Sequence, residues 1–232
     1  MNKSFYKILL VLLTGIQSIT SFAKNREFKN ITPTVSLQLN YSLSTTYKSK
    51  LVASNDVGTG FSYTLGGYAG KEGNFGFFVK VDNSATTFEL NSSSNSVTWQ
   101  DSIFRYRWGY LYLGPVFTTL TYAVNIAGTD TLDVSASGMG GNVGFLVPVG
   151  GGGSLYMDFT SVTPSKTVNE LTQVTSMGAR TDIDLGASID LTAKLVDLVF
   201  GYRQQQYSVT TDASYAELML STYIGLKFSL FF

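Results

Sequence analysis

The sequence predicts an all-β fold: a transmembrane, antiparallel, up-and-down β-barrel of about ten strands, with eight or twelve as the alternatives. Three observations carry this. Apolar residues recur on every second position in segment after segment, the period of a strand with one apolar and one polar face. The chain is rich in strand and turn formers, with 14 Tyr, 16 Phe and 23 Gly but only four Pro. Short and long connections alternate, as in a barrel with tight turns on one rim and loops on the other.

Ahead of the strands, residues 1–23 read as a secretory signal peptide. Lys3 and Lys7 form its charged region, Ile8 to Leu13 begin its apolar core, and Ser21-Phe22-Ala23 is a small-x-small cleavage site. The core is too short and too interrupted by Thr14, Gln17 and Ser18 to span a bilayer as a helix. Residues 24–33 are expected to be a short periplasmic lead-in, and residues 34–232 the barrel. With no Cys in the chain, lipoprotein anchoring, disulfides and thiolate metal sites are excluded.

The strands follow in order. The first places Val35, Leu37, Leu39, Tyr41, Leu43 and Tyr47 on one face, the second Phe61, Tyr63 and Leu65, the third Phe75, Phe77, Val79 and Val81. The fourth has Phe104, Tyr106, Trp108, Tyr110 and Tyr112, the fifth Val116, Leu120, Tyr122, Val124 and Ile126. The Gly-rich sixth has Met139, Val143, Phe145 and Val147, the seventh Leu155, Met157 and Phe159. The eighth has Ile183, Leu185, Ala187, Ile189 and Leu191, and the ninth Leu198, Phe200 and Tyr202. The tenth runs from about Tyr215 to the end. Short connections are expected at Lys71 to Asn74, Gly114-Pro115, Gly150 to Gly153 and Lys194 to Asp197. Longer polar ones are expected at Lys50 to Thr59, Asn91 to Asp101, Ala127 to Ser135, Ser161 to Met177 and Thr210 to Ser214. An even count puts both ends on the short-turn side, the periplasm. Tyr110, Tyr112, Phe75, Phe231, Phe232 and Trp99 fall near inferred strand ends, where interfacial girdles of aromatic rings are expected.

The last of these strands carries a resemblance. In STYIGLKFSLFF, Ile224, Leu226, Phe228, Leu230 and Phe232 alternate with mostly polar residues up to an aromatic end. This resembles the terminal strand and insertion signal of bacterial outer-membrane β-barrels. The resemblance implies export to a Gram-negative outer membrane, contact with its lipid, and recognition by the barrel-insertion machinery. It points to the class and to no family within it.

The charge balance gives no reason to expect nucleic acid as a partner. Without the leader, 14 basic residues (16 − 2) stand against 16 acidic ones. Histidine is absent. Omptin-like proteases, barrel phospholipases and lipid A-modifying barrels each depend on His as a base. Their sites cannot be built here, so no catalytic residue, cofactor or metal site is expected. Asp182, Asp184 and Asp190 lie along one strand, where same-face carboxylates stand at least about 7 Å apart, rather than on the curled loop that calcium prefers. Gly150 to Gly153 lacks the Lys and the helix of a phosphate loop.

The polar faces name the lumen: Lys80, Asp82, Arg105, Arg107, Asp182, Asp184, Asp190, Arg203, Glu217 and Lys227. Asp82 is expected to pair with Arg105 and Arg107, Arg203 and Lys227 to sit at similar depths with Asp190 below, and Lys48 to meet Glu217 at the outer rim. Two states of this lumen stand open. In one, side chains fill it and the charges cancel. In the other, a narrow aqueous path passes ions or small solutes, biased toward anions by Arg105 and Arg107, with space left by Gly76, Ser84, Gly109, Gly186, Ser188, Gly201 and Gly225. Expected functions are accordingly a narrow pore or passive envelope component, or a plugged barrel that binds a surface partner through its loops. A secreted β-sandwich fits less well, because it needs a second sheet over each apolar face.

Overall fold

The computed structural model describes residues 34–49, 55–71, 75–90, 93–125, 131–149, 152–168, 176–192, 195–210 and 214–231. Residues 1–33, expected to be a signal peptide and a lead-in, and Phe232 lie outside them. So do the side chains of Phe75, Glu217 and Phe231.

Ten long antiparallel strands, joined up-and-down, close into a barrel: β1 (Thr34–Ser49), β2 (Asn55–Lys71), β3 (Phe75–Leu90), β4 (Ser93–Trp108), β5 (Leu111–Asn125), β6 (Thr131–Pro148), β7 (Ser154–Val168), β9 (Arg180–Asp190), β10 (Val196–Thr210) and β11 (Ser214–Phe231). A two-residue piece, β8 (Ser176–Met177), adds to the outer end of β10. Closure is made by β1 against β11, paired from Thr34 opposite Phe231 to Ser49 opposite Glu217. No edge is left along that seam, as a lipid-embedded sheet requires.

The outer surface carries a belt of exposed large apolar side chains. It includes Leu37, Leu39, Phe61, Phe77, Phe104, Leu113, Phe117, Met139, Leu185, Phe200, Leu226 and Phe228. Cross-strand contacts knit it together, as where the Phe77 ring meets Phe104 at 5.6 Å and Tyr106 at 5.5 Å. Ile224, Leu226, Phe228 and Leu230 all belong to this outward face of β11.

Above the belt, away from the short turns, the polarity reverses. Gln100, Ser102, Thr119, Thr121, Ser135 and Thr163 face outward, while Val97, Trp99, Ile103, Val116, Leu120, Val162 and Met219 are buried inside. A 16-residue strand such as β4, tilted by about 40°, climbs about 40 Å, whereas the apolar band is about 25 Å tall. The remainder stands in water and packs like the core of a soluble barrel.

This reversal corrects several expectations. Val116 and Leu120 face the lumen, and Leu113 and Phe117 take the lipid side of β5. Trp99 and Tyr112 are buried inside and are not girdle rings. The turn between β4 and β5 is Gly109-Tyr110, with Gly109 at φ +61°, and not Gly114-Pro115. Gly114-Pro115 lies within β5, where the ladder to β4 skips Phe104 and Arg105. A Cβ on Gly114 would fall 1.9 Å from the Phe104 carbonyl oxygen, and Pro115 has no N–H to lose there. Polar stretches expected as loops are strand: Ser93 to Asp101, Thr131 to Ser135, and Ser161 to Val168. The outward side chains described there, Gln100, Ser135 and Thr163, are polar, so the lipid-facing pattern stops while the ladder continues. At the expected turn from Gly150 to Gly153, Val149 N–H donates to the Gly153 carbonyl at 2.9 Å, while Gly150 and Gly151 lie outside the described residues.

Candidate functional site: the charged lumen

Inward positions place a charged layer level with the apolar belt. Arg203 on β10 donates to Asp184 on neighbouring β9 at 2.7 Å and reaches Asp82 on β3 at 3.2 Å. Lys80 lies 3.4 Å from Asp82 and 3.5 Å from Asp158 on β7. Arg105 on β4 grips Asp158 with two N–H groups, at 2.7 and 3.3 Å. Three cations and three carboxylates thus form one neutral cluster. Thr64 donates to Asp82 at 3.1 Å, and the Tyr223 hydroxyl donates to Asp184 at 2.6 Å while sharing a second hydrogen bond with Tyr156. The pairs join β3 to β10 and β3 to β7, strands on opposite sides of the barrel. The cluster therefore crosses the lumen and does not merely line it.

Sequence logic underlies this geometry. Asp158 faces Asp184 in the β7–β9 register, and Asp82 faces Asp101 in β3–β4. Like charges directly opposite one another destabilise a sheet. A buried carboxylate needs a paired, hydrogen-bonded cation, and the cations arrive from across the lumen.

A second layer lies further out. Arg180 on β9, 1% exposed, reaches across to Asp101 on β4, with its Nη1 donating at 2.9 Å. It also holds Asp182 and donates to Thr118 at 2.8 Å. Its guanidinium lies 4.3 Å from the Trp99 ring centre, and Trp99 meets Tyr207 edge-on at 5.1 Å. Toward the short-turn rim, Arg107 sits 5.5 Å from the rings of both Tyr68 and Tyr112 and donates through Nε to the Gly109 carbonyl.

Two of the lumen glycines face aromatic rings and not open space. A Cβ on Gly186 would fall 2.3 Å from the Tyr156 ring, and one on Gly201 2.2 Å from that of Tyr223. Each glycine seats the ring of its cross-strand partner, and these phenols occupy the centre. Space remains in a cavity of about 150 Å³ below the first layer, touching Gln38, Tyr112, Tyr156 and Lys227, and in one of about 20 Å³ between the layers.

Of the residues expected in the lumen, Lys80, Asp82, Arg105, Arg107, Asp182, Asp184, Arg203 and Lys227 face inward. Their pairing differs from expectation. Asp82 is held by Arg203 and Lys80, not by Arg105 or Arg107, because β3–β4 register sets Arg105 opposite Phe78. Lys227 meets Asp197 at 3.6 Å. Asp190 accepts from the Thr192 N–H at 3.0 Å in the β9–β10 turn. Lys48 lies opposite Leu218, while Glu217 lies opposite Ser49, so these two are not a cross-strand pair. The shift comes from a bulge at Ser42/Ser44 that reverses the faces above it. Reading by apolar alternation missed Asp101, Asp158, Arg180, Tyr156 and Tyr223. Asp158 was legible as the inward neighbour of Met157 and Phe159. Arg180 sat between the loop expected to end at Met177 and Ile183, the first apolar residue assigned to the next strand.

The closed sheet, the apolar belt and the charged lumen define a transmembrane β-barrel of the kind found in bacterial outer membranes. Among solved structures, the chain is similar to the translocator domain of the autotransporter NalP from Neisseria meningitidis, at 12% identity over 98% of this chain and 99% of that one, with TM-score 0.41. It is also similar to the β domain of the Bordetella autotransporter BrkA (12% identity, 86% of this chain, 100% of that one, TM-score 0.43). A third is the Pseudomonas putida toluene transporter TodX (8% identity, 87% of this chain, 90% of that one, TM-score 0.32). No family model and no curated protein matches the chain.

Proposed function

We propose that the protein is a non-conducting, non-enzymatic outer-membrane barrel, with a filled lumen, that serves the envelope as a rigid component presenting its outer end. The observation that carries this reading is the pairing across the lumen, Arg203 to Asp82, Lys80 to Asp158 and Arg180 to Asp101. Beside it pack Val97, Val116, Leu120 and Val162, each at 2% exposure or less. An anion path needs cations free to meet ions, whereas Arg105 is committed to Asp158 and to the Phe78 and Tyr112 rings. The polar outer wall above the belt supports a portion standing clear of the lipid, where a surface partner has access. Lipid surrounds the belt, the insertion machinery receives the β11 strand, and nucleic acid is no partner. The absence of His supports the lack of catalysis.

Liposome swelling tests the reading. Vesicles carrying the refolded protein, diluted into iso-osmotic arabinose or potassium chloride, are expected to swell no faster than empty vesicles. Swelling that scales with the protein present overturns it.

A further inference from the structure

Three of the residues lining the small cavity between the two charged layers each carry a buried, unpartnered polar atom. Among the described residues Trp99 Nε1, Asn142 Oδ1 and Asp182 Oδ1 have no hydrogen-bond partner, and all three residues line this cavity of about 20 Å³. Each residue is more than nine-tenths buried.

The placement follows from the registers. Asn142, Thr160, Asp182 and Gln205 stand opposite one another in turn across β6, β7, β9 and β10, forming one inward row. Trp99 comes from β4 on the other side. The Asn142 orientation is fixed, because its Nδ2 donates to Thr160 Oγ1 at 2.8 Å and to the Phe159 carbonyl at 3.1 Å, which leaves Oδ1 as the acceptor. Asp182 spends Oδ2 on Arg180, which leaves its Oδ1.

We infer that this cavity is the binding site of a single internal water, which accepts from Trp99 Nε1 and donates to Asn142 Oδ1 and Asp182 Oδ1. The volume matches: one water needs about 10–15 Å³ measured in this way. The polarity matches too, since one donor and two acceptors are the complement of a water's lone pair and two protons. Left unsatisfied, each such atom carries the full desolvation penalty of a buried polar group. The second layer, Arg180 with Asp101 and Asp182, also carries one more carboxylate than cations, so a donor at Asp182 Oδ1 stabilises it. A small monovalent cation is the rival occupant. It would satisfy both oxygens and leave the indole N–H facing a positive charge.

The chain has two Trp, and Trp108 is exposed on the belt, so the indole N–H region of a proton–nitrogen NMR spectrum isolates Trp99. In the refolded protein in micelles, the Trp99 indole proton should show a water cross-peak of the sign given by a rigidly held molecule. Trp99→Phe assigns the signal by deleting it. Asn142→Leu should abolish the cross-peak while the amide dispersion of the barrel persists. No such cross-peak in the native chain, or an undiminished one in a folded Asn142→Leu, overturns the assignment. A Trp99 shift that titrates with sodium chloride and not with choline chloride also overturns it, in favour of the cation. If Asn142→Leu fails to fold, a crystal structure of the native chain decides: density bonded to all three atoms supports the water, and its absence removes it.

Discussion

Single side chains pair across this lumen, and their roles are separable. Asp158 receives Arg105 and Lys80 together. Removing one partner of a buried ion pair leaves an uncompensated charge, at a cost of about 3–5 kcal/mol. Asp158→Ala is therefore expected to lower the unfolding free energy by about that amount, read from urea titrations in lipid vesicles; a loss within error of zero removes Asp158 from the cluster. The glycine seats make a second test. Gly201→Ala drives a Cβ into the Tyr223 ring and should cost about 1–3 kcal/mol by overpacking. Gly67→Ala, whose Cβ meets nothing within 4 Å, should stay within about 0.5 kcal/mol of the native chain. Equal effects at the two sites contradict the seat.

At the scale of elements, the alternation of apolar residues located all ten strands, because lipid outside and charge inside impose a period of two. It failed where that contrast ends. On β5 the pattern continues past the belt with its meaning reversed, so Val116 and Leu120 read as lipid-facing yet turn inward. On β4 and β7 the polar outer ends read as loops. The turn at Gly109 was passed over for Gly114-Pro115 because a Gly-Pro pair is a strong breaker by composition, while the skipped ladder that tolerates it is a tertiary feature. Lumen charges were legible as inward positions, but their partners lie across the barrel, a relation that local spacing does not encode. The belt itself predicts a depth profile. Phe104→Arg and Leu185→Arg, on lipid-facing positions, should cost about 2–4 kcal/mol, while Thr119→Arg and Gln100→Arg should cost at most about 1 kcal/mol. Vesicle unfolding titrations of the four variants check this. A uniform cost would place the outer halves of β4 and β5 in lipid.

The whole molecule is a barrel with two chemical regimes stacked along one wall. Its inner half sets apolar side chains against lipid and cancels charge within. Its outer half inverts that arrangement around an apolar core closed by Arg180 and Trp99. A ten-stranded interior is little wider than one that side chains can fill, and here Arg, Tyr and Trp supply the reach. Single-channel recording in planar bilayers tests this most directly, with the native protein beside Arg105→Ala/Arg107→Ala. A filled lumen predicts a native barrel that inserts and stays electrically silent across the voltage range. Stable conductance steps in the native chain, with an ion selectivity that changes in the double variant, would contradict it and make those arginines the constriction of an open pore.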